Sequence, residues 1–196
     1  MKILLTIILF YLLMSFSNAR EIKSYIEMRD IDLIRQSKKL SCGSAALATI
    51  MKYYLNIDGF DEGTALNFLD NKDSEATFLD LQNIAKKLNI ESLGLFISKE
   101  EFLSINKPVI AYIKTPLEYD HFVVIKGIYG DNILIGDPAV GNYVLNKKTF
   151  FNYWLVSNSE KGKILYINIE NDGKFFNIRN SEKKGQIIRF INKPLS

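Results

Sequence analysis

The sequence contains a single cysteine, Cys42, and a single histidine, His121. A thiol attacks a carbonyl carbon efficiently only as the thiolate, and a neighbouring imidazole can hold that thiolate and later protonate a leaving amine. The two residue types therefore indicate nucleophilic catalysis of the cysteine-peptidase kind, provided that the fold brings them together. Each has a structural interpretation as well, because a buried cysteine can be inert and a lone histidine is more often structural than catalytic.

The residues after Cys42 predict that it lies at or near the N-terminus of a helix. Apolar side chains recur at helical spacing between residues 47 and 54, and the alanines among them are strong helix formers. A helix N-terminus favours an anion such as a thiolate, because it carries a partial positive charge and free N–H groups. Gly43, directly after the cysteine, is expected to let a substrate backbone come close.

His121 and Asp137 occur at the two ends of a predicted hairpin. His121 begins a predicted strand over residues 122–128, and Asp137 closes the next one, over residues 133–136. In a hairpin the end of the second strand lies beside the start of the first, so Asp137 is expected to orient the imidazole. The alternative interpretation of Asp137 is that an Asp-Pro pair simply starts a turn. Two other acids are weaker candidates for the orienting role: Asp120 and Asp131.

Gln36 is a candidate donor for an oxyanion hole. A tetrahedral intermediate needs two hydrogen-bond donors, and the backbone N–H of Cys42 can supply one of them. A side-chain amide located six residues upstream can reach the same place across a tight turn. The alternative interpretation of Gln36 is a solvated polar residue in a loop.

The elements that must position these residues change character midway along the chain. Helical periodicity predicts helices over residues 42–55, 61–69 and 77–88. The later elements are predicted strands over 90–96, 109–113, 122–128, 133–136, 142–145 and 164–169, a short helix after a capping box at Ser98, and a helix over 147–155. Helices first and an antiparallel meander afterwards predict an α+β domain.

Residues 1–19 have the pattern of a secretory signal peptide. A positive start, a short apolar run and small residues predict cleavage after Ala19, and the run is short for a membrane span of about 20 residues. We expect a peptidase domain over residues 20–171 and a C-terminal tail over residues 172–196. The expected location is periplasmic or secreted, with no stable membrane insertion after signal cleavage.

Composition argues against several classes of function. Hydrophobic residues make up 47% and charged residues 24% of the chain, as in ordinary globular proteins. The net charge of +3 is too small to predict nucleic-acid or membrane binding. One cysteine and one histidine do not form a zinc site of the usual kind, so we expect no metal and no organic cofactor. The expected partner is a peptide or protein substrate, and a secretion-system or envelope-assembly protein is a second candidate.

Three stretches of the sequence resemble motifs of the C39-type peptidases, which are cysteine peptidases that process bacteriocin leaders. The stretches are QSKKLSCGSAAL (residues 36–47), DHFVVIKGI (residues 120–128) and ILIGDPAVG (residues 133–141). The likeness extends over about residues 33–169. It implies a papain-like fold and cleavage after a double-glycine leader. It also implies a role for each residue matched by position: Cys42, His121 and Asp137 as the triad, and Gln36 in the oxyanion hole.

The chain departs from the family pattern in two respects. The family usually has an aspartate directly before the nucleophile, where this chain has Ser41. The best known members are cytosolic N-terminal domains of ABC exporters, whereas this sequence predicts a stand-alone, exported member. The rival hypotheses are a non-catalytic domain that binds a peptide or assembly partner, and an enzyme that transfers the acyl group to an amine.

Overall fold

The structure, a computed structural model, describes residues 29–72, 74–114 and 120–169. The predicted signal peptide and C-terminal tail lie outside these residues. Within the described ranges, no helix combines the length and the apolar character that crossing a membrane requires.

Three helices form the first part of the described chain, as the periodicity predicts. They are α1 (Cys42–Tyr53), α2 (Glu62–Asn67) and α3 (Phe78–Lys87). The side chain of Asp61 caps α2 by accepting a hydrogen bond from the backbone N–H of Thr64. Thr77 caps α3 through a reciprocal capping box with Asp80. These local signals explain why the predicted bounds differ from the observed ones by no more than two residues.

The later part of the described chain forms a sheet with two short helices. The elements are β1 (Ser92–Ser98), α4 (Lys99–Ser104), β2 (Val109–Lys114), β3 (Asp120–Tyr129), β4 (Asn132–Asp137), β5 (Gly141–Asn146), α5 (Lys147–Trp154) and β6 (Lys161–Ile167). The strands lie in the order β1-β6-β2-β3-β4-β5, and every neighbouring pair is antiparallel. Helices followed by an antiparallel sheet confirm the predicted α+β class.

The position of β6 differs from the predicted meander. Strands β2 to β5 do follow one another across the sheet, but β6 inserts between β1 and β2. It pairs with β1 from Ser92↔Ile167 to Ser98↔Lys161, and with β2 at only three positions. Turn signals specify pairing between consecutive strands, and they carry no information about a last strand that returns to the middle of the sheet.

The sheet separates two hydrophobic cores, and β3 contributes to both. Phe122 and Val124 join the core formed with α1, α2 and α3, whereas Val123 and Ile125 join the core covered by α4 and α5. Successive side chains of a strand point to opposite faces, so this division follows from the period of two. Because the ring of Phe122 lies against Gly43, the start of β3 is held at the N-terminus of α1.

The segment before α1 is held against the sheet by hydrogen bonds from residues of β3 and β5. The buried Lys126 donates from Nζ to the carbonyl of Ile31 at 2.7 Å. Asn142 donates from Nδ2 to the same carbonyl at 2.8 Å. Further along, the backbone N–H of Gln36 donates to the carbonyl of Pro138 at 3.0 Å. These bonds bring Gln36 close to the turn that follows β4.

Candidate active site

Cys42 is the first residue of α1, as predicted, and it is buried with 2% of its surface exposed. The N-cap residue Ser41 makes no side-chain capping bond to the first turn of the helix. In most helices that side chain would satisfy one of the free N–H groups. The positive end of α1 therefore faces the thiol without competition from a capping oxygen of Ser41.

The expectation that Gly43 opens the site to a substrate backbone is wrong. A Cβ atom at Gly43 would lie 3.2 Å from the Cβ of Ala76 and 3.2 Å from the ring of Phe122. The space beside Gly43 is thus filled by the protein itself. The absence of a side chain there lets the N-terminus of α1 lie directly against β3 and the segment before α3.

The hairpin places Asp137 beside His121, as the sequence predicts. Strands β3 and β4 pair in a register that includes Val124↔Gly136, so the two residues lie at the same end of the hairpin. Nε2 of His121 lies 2.7 Å from Oδ1 of Asp137. Because a carboxylate accepts, Nε2 carries the proton in this pair, and the other ring nitrogen remains for a second partner.

Asp137 also forms the turn that was its alternative interpretation. Its Oδ1 accepts hydrogen bonds from the backbone N–H groups of Ala139 at 2.7 Å and Val140 at 3.3 Å. Oδ2 accepts from the hydroxyl of Tyr143 at 3.4 Å. The carboxylate is buried, with 4% of the residue exposed, so these bonds fix its position against the imidazole. The two weaker candidates for the orienting acid, Asp120 and Asp131, are both exposed.

The imidazole of His121 interacts with the thiol as well as with Asp137, and its pKa is raised. Burial acts to lower this pKa, but the hydrogen bonds to Asp137 and Cys42 and the charges of both partners raise it from 6.5 to about 10. The imidazole is therefore positively charged at neutral pH. A cationic imidazole between a thiol and a buried carboxylate can hold a thiolate and deliver a proton.

Gln36 lies in the loop before α1, and its amide is already engaged. Nε2 donates to the carbonyls of Lys38 at 2.9 Å and Lys39 at 3.2 Å, while Oε1 is buried without a hydrogen-bond partner. Rotating the amide by half a turn would place Oε1 against two carbonyl oxygens, so the observed orientation is the favourable one. To donate to an oxyanion, Gln36 must give up one of these bonds.

A buried carboxylate that the sequence analysis did not identify holds the loop before Cys42. Glu62, at the start of α2, has 8% of its surface exposed. Its Oε1 accepts a hydrogen bond from the backbone N–H of Ser37 at 2.8 Å and another from the hydroxyl of Ser41. The backbone N–H of Lys38 donates to Ser41 Oγ at 3.1 Å. Ser41 and Glu62 together thus place a carboxylate and one of its hydrogen-bond donors next to the nucleophile.

A second acid that the sequence analysis missed touches the thiol. Sγ of Cys42 donates to Oε1 of Glu75 at 3.6 Å. Tyr112 lies nearby, and burial together with the charges of Glu75 and Asp120 holds its pKa above the ordinary value of 10.0. Glu75 belongs to no motif and to no periodic segment, so only the folded chain reveals its position.

Comparison with known proteins identifies relatives of this chain. The model of the peptidase C39 family matches residues 30–172. The probable functional amyloid protease FapD of Pseudomonas fluorescens is 30% identical over 143 residues, which are 69% of this chain and 62% of that protein. The mesentericin-Y105 transport/processing ATP-binding protein MesD of Leuconostoc mesenteroides is 31% identical over 68% of this chain and 19% of its own length. The chain thus spans less than two thirds of either relative.

Two solved structures share the fold. The peptidase domain of Streptococcus ComA, a bifunctional ABC transporter involved in quorum sensing, matches with a TM-score of 0.58 at 22% identity, over 69% of this chain and 96% of that domain. A double glycine motif protease from an AMS/PCAT transporter, in complex with the leader peptide, gives 0.53 at 26% identity, over 69% and 89%. These matches confirm the predicted papain-like fold.

Proposed function

The chain belongs to the peptidase C39 family, and we propose that it is an exported cysteine peptidase with Cys42 as nucleophile. The observation that carries this proposal is the imidazole of His121: its Nε2 lies 2.7 Å from Oδ1 of Asp137, and the nearby Cys42 is among the groups that raise its pKa. One imidazole joined to a thiol and a carboxylate is the arrangement that cysteine peptidases use. The protease names of the FapD relatives support the same reaction class.

The proposed reaction proceeds through a thioester. The Cys42 thiolate bonds to the carbonyl carbon of the substrate, and the electron pair of the carbonyl moves onto its oxygen. When the tetrahedral intermediate collapses, the imidazolium of His121 gives a proton to the departing amine. Water then attacks the thioester, with the imidazole accepting its proton, and releases the acid and the thiolate. Asp137 keeps the ring oriented throughout and stabilises the imidazolium in the steps where the ring is charged.

The backbone N–H of Cys42, at the uncapped start of α1, is the first proposed donor to the oxyanion. Gln36 is the proposed second donor. Its amide would exchange a bond to Lys38 or Lys39 for the stronger bond to a charged oxygen. The backbone bond between Gln36 and Pro138 supports this role, because it ties the donor to the turn that also contains Asp137.

We expect Glu62→Gln to lower both stability and turnover, although Glu62 does not contact the thiol. The amide oxygen can still accept from Ser37 and Ser41, but it has no negative charge, and weakening these two charge-assisted hydrogen bonds costs about 1–2 kcal/mol. A loosened loop misplaces Gln36 and the start of α1, so kcat is expected to fall by about tenfold. Urea unfolding and steady-state kinetics measure the two effects.

A carboxylate at position 41 should restore the stability and turnover that Glu62→Gln loses. Ser41→Asp alone puts two carboxylates in contact and is expected to destabilise the protein, whereas Ser41→Asp combined with Glu62→Gln restores one charge. The coupling between the two substitutions is expected to exceed about 1 kcal/mol. Additive effects of the two substitutions would mean that Glu62 does not position this loop.

The proposed substrate is a peptide or protein cut after small residues, possessing a Gly-Gly site in the simplest case. The matched protease described with a double glycine motif, in complex with a leader peptide, supports this choice of probe. We expect incubation of the full chain with a synthetic peptide containing an internal Gly-Gly pair to give two fragments. Their masses, measured by mass spectrometry, should sum to the mass of the peptide plus one water.

The same experiment separates the rival functions. A fragment that has gained an amine instead of water would indicate acyl transfer. Binding of the peptide without any product would favour a domain that recruits a peptide or an assembly partner. Burial of the thiol favours the non-catalytic binding domain, because Cys42 is only 2% exposed and its Sγ is hydrogen-bonded to Glu75.

A further inference from the structure

Glu75 is held against the proposed nucleophile by the packing of its neighbour. Ala76 is buried, with 4% exposed, and a Cβ at Gly43 would lie 3.2 Å from the Ala76 Cβ. Thr77, the next residue, is fixed by the capping box of α3. The backbone at Glu75 is therefore anchored to the N-terminus of α1, and its carboxylate reaches the thiol at 3.6 Å.

The negative charge at this position has no cationic side-chain partner in the described ranges. None of the ion pairs found there includes Glu75 or Asp120. The charges of both acids nevertheless raise the pKa of the same tyrosine, Tyr112, and the charge of Cys42 acts in the same direction. Glu75 is the acid that contacts the thiol, and its charge also acts on Tyr112. The lysines of the preceding loop, Lys38 and Lys39, are exposed, so solvent screens their charges more strongly.

We propose that Glu75 determines specificity at this site by binding a cationic group of the substrate next to the scissile bond. The inference rests on the proposed role of Cys42 as nucleophile. The substrate class is a peptide with a lysine or arginine within reach of the reacting carbonyl. The imidazole of His121 is paired with Asp137, and the ion pairs of the described ranges include none between His121 and Glu75.

Glu75 discriminates between substrates in two ways: it attracts a cationic side chain, and it disfavours a side chain that cannot pair with its carboxylate. A cationic side chain exchanges its solvent shell for the carboxylate of Glu75 and releases the thiol from it. A neutral or acidic side chain leaves that carboxylate covered and unpaired, which is unfavourable. One unit charge about 6 Å from the reacting atom, at the dielectric of a partly exposed site, changes the ratio of cationic to anionic rates by about tenfold or more.

Two thiol reagents of opposite charge test this proposal without any peptide. The full chain is treated with aminoethyl methanethiosulfonate, a cation, and sulfonatoethyl methanethiosulfonate, an anion. In either reaction the thiolate forms a disulfide and methanesulfinate leaves with the electron pair. Because the chain has one cysteine, the gain in intact mass reports Cys42 alone. The rate ratio is normalised to that of a neutral small thiol.

The wild-type protein is expected to favour the cation by about tenfold, and Glu75→Gln should reduce this ratio by about three- to tenfold. Glu75→Lys should reverse the preference. The matched control, Glu100→Gln, removes an exposed carboxylate from α4 and should leave the ratio unchanged. Circular dichroism checks that each variant folds.

Equal ratios in the wild-type protein and in Glu75→Gln would overturn the proposal, and so would an equal loss in the control. The outcome is independent of turnover, because the reagents react with the thiol whether or not a peptide is cut. Charge selectivity without peptide cleavage would therefore count against the proposed peptidase and not against Glu75.

Discussion

Cys42→Ala is expected to abolish peptide cleavage, with a loss in kcat on the order of 10⁴-fold or more. The substitution removes the only sulfur nucleophile of the chain, and no thioester can form without it. The fold should persist, since alanine is a good helix former and the lost sulfur is a single buried atom that costs about 1 kcal/mol. Product formation by mass spectrometry and thermal unfolding measure the two effects.

Cys42→Ser is the matched control for this substitution. It keeps a polar atom of similar position, but a hydroxyl is a far weaker nucleophile at neutral pH, so we expect it to be nearly as inactive as Cys42→Ala. Both variants should still bind the peptide, which calorimetry measures. Cleavage by either purified variant at close to the wild-type rate would remove Cys42 from the reaction.

Asp137→Asn is expected to lower kcat by on the order of 10² to 10⁴-fold. The amide cannot supply the negative charge that keeps His121 charged, and it no longer specifies which ring nitrogen bears the proton. The turn should survive, because the asparagine oxygen still accepts from the N–H of Ala139. Steady-state kinetics separates this loss in kcat from any change in KM.

Asp137→Asn is also expected to change the pH dependence of kcat/KM. The imidazole of His121 must be protonated to act as an acid, and its pKa of about 10 places the loss of that proton at high pH. Removing the charge of Asp137 lowers this pKa, so the basic limb of kcat/KM should move to lower pH. The same sign holds for stability: the contribution of the pair is complete below pH 6.5 and is lost as the pH rises through about 10.

Asp131→Asn is the control for Asp137→Asn. It makes the same chemical change at an exposed residue of the turn between β3 and β4. We expect its kcat to stay within about twofold of the wild-type value, as for most surface substitutions. An Asp137→Asn protein with wild-type kcat and an unmoved basic limb would show that the carboxylate does not support His121.

The sequence predicts the parts of the site that local rules determine. One hairpin explains why His121 and Asp137 lie at the same end of β3 and β4, whereas a bulge between Ile125 and Gly127, which shifts the register by one residue, is not predicted from the turn near Gly130. The place of Cys42 at the start of α1 follows from helical periodicity. Both predictions depend on residues that are close in the chain or joined by a single turn.

The parts that the sequence does not predict depend on contacts between distant segments. Glu62 reaches the loop before Cys42 from α2, and Glu75 reaches the thiol from the segment before α3. Neither acid lies at a sequence spacing from its partner that would indicate the contact. The amide of Gln36 is oriented by carbonyls whose direction only the folded loop defines. Gly43 and Ala76 are far apart in the sequence, so no local pattern predicts that they lie close together in the fold.

The central claim is that His121 activates the thiol of Cys42, and the rate of alkylation by iodoacetamide as a function of pH tests it most directly. In the wild-type protein we expect fast alkylation that persists well below about pH 8, where an ordinary thiol reacts slowly. In His121→Ala the rate should fall near neutral pH and rise only toward the alkaline range of a free thiol. Identical pH profiles in the two proteins would contradict the account, because Cys42 would then react without help from His121.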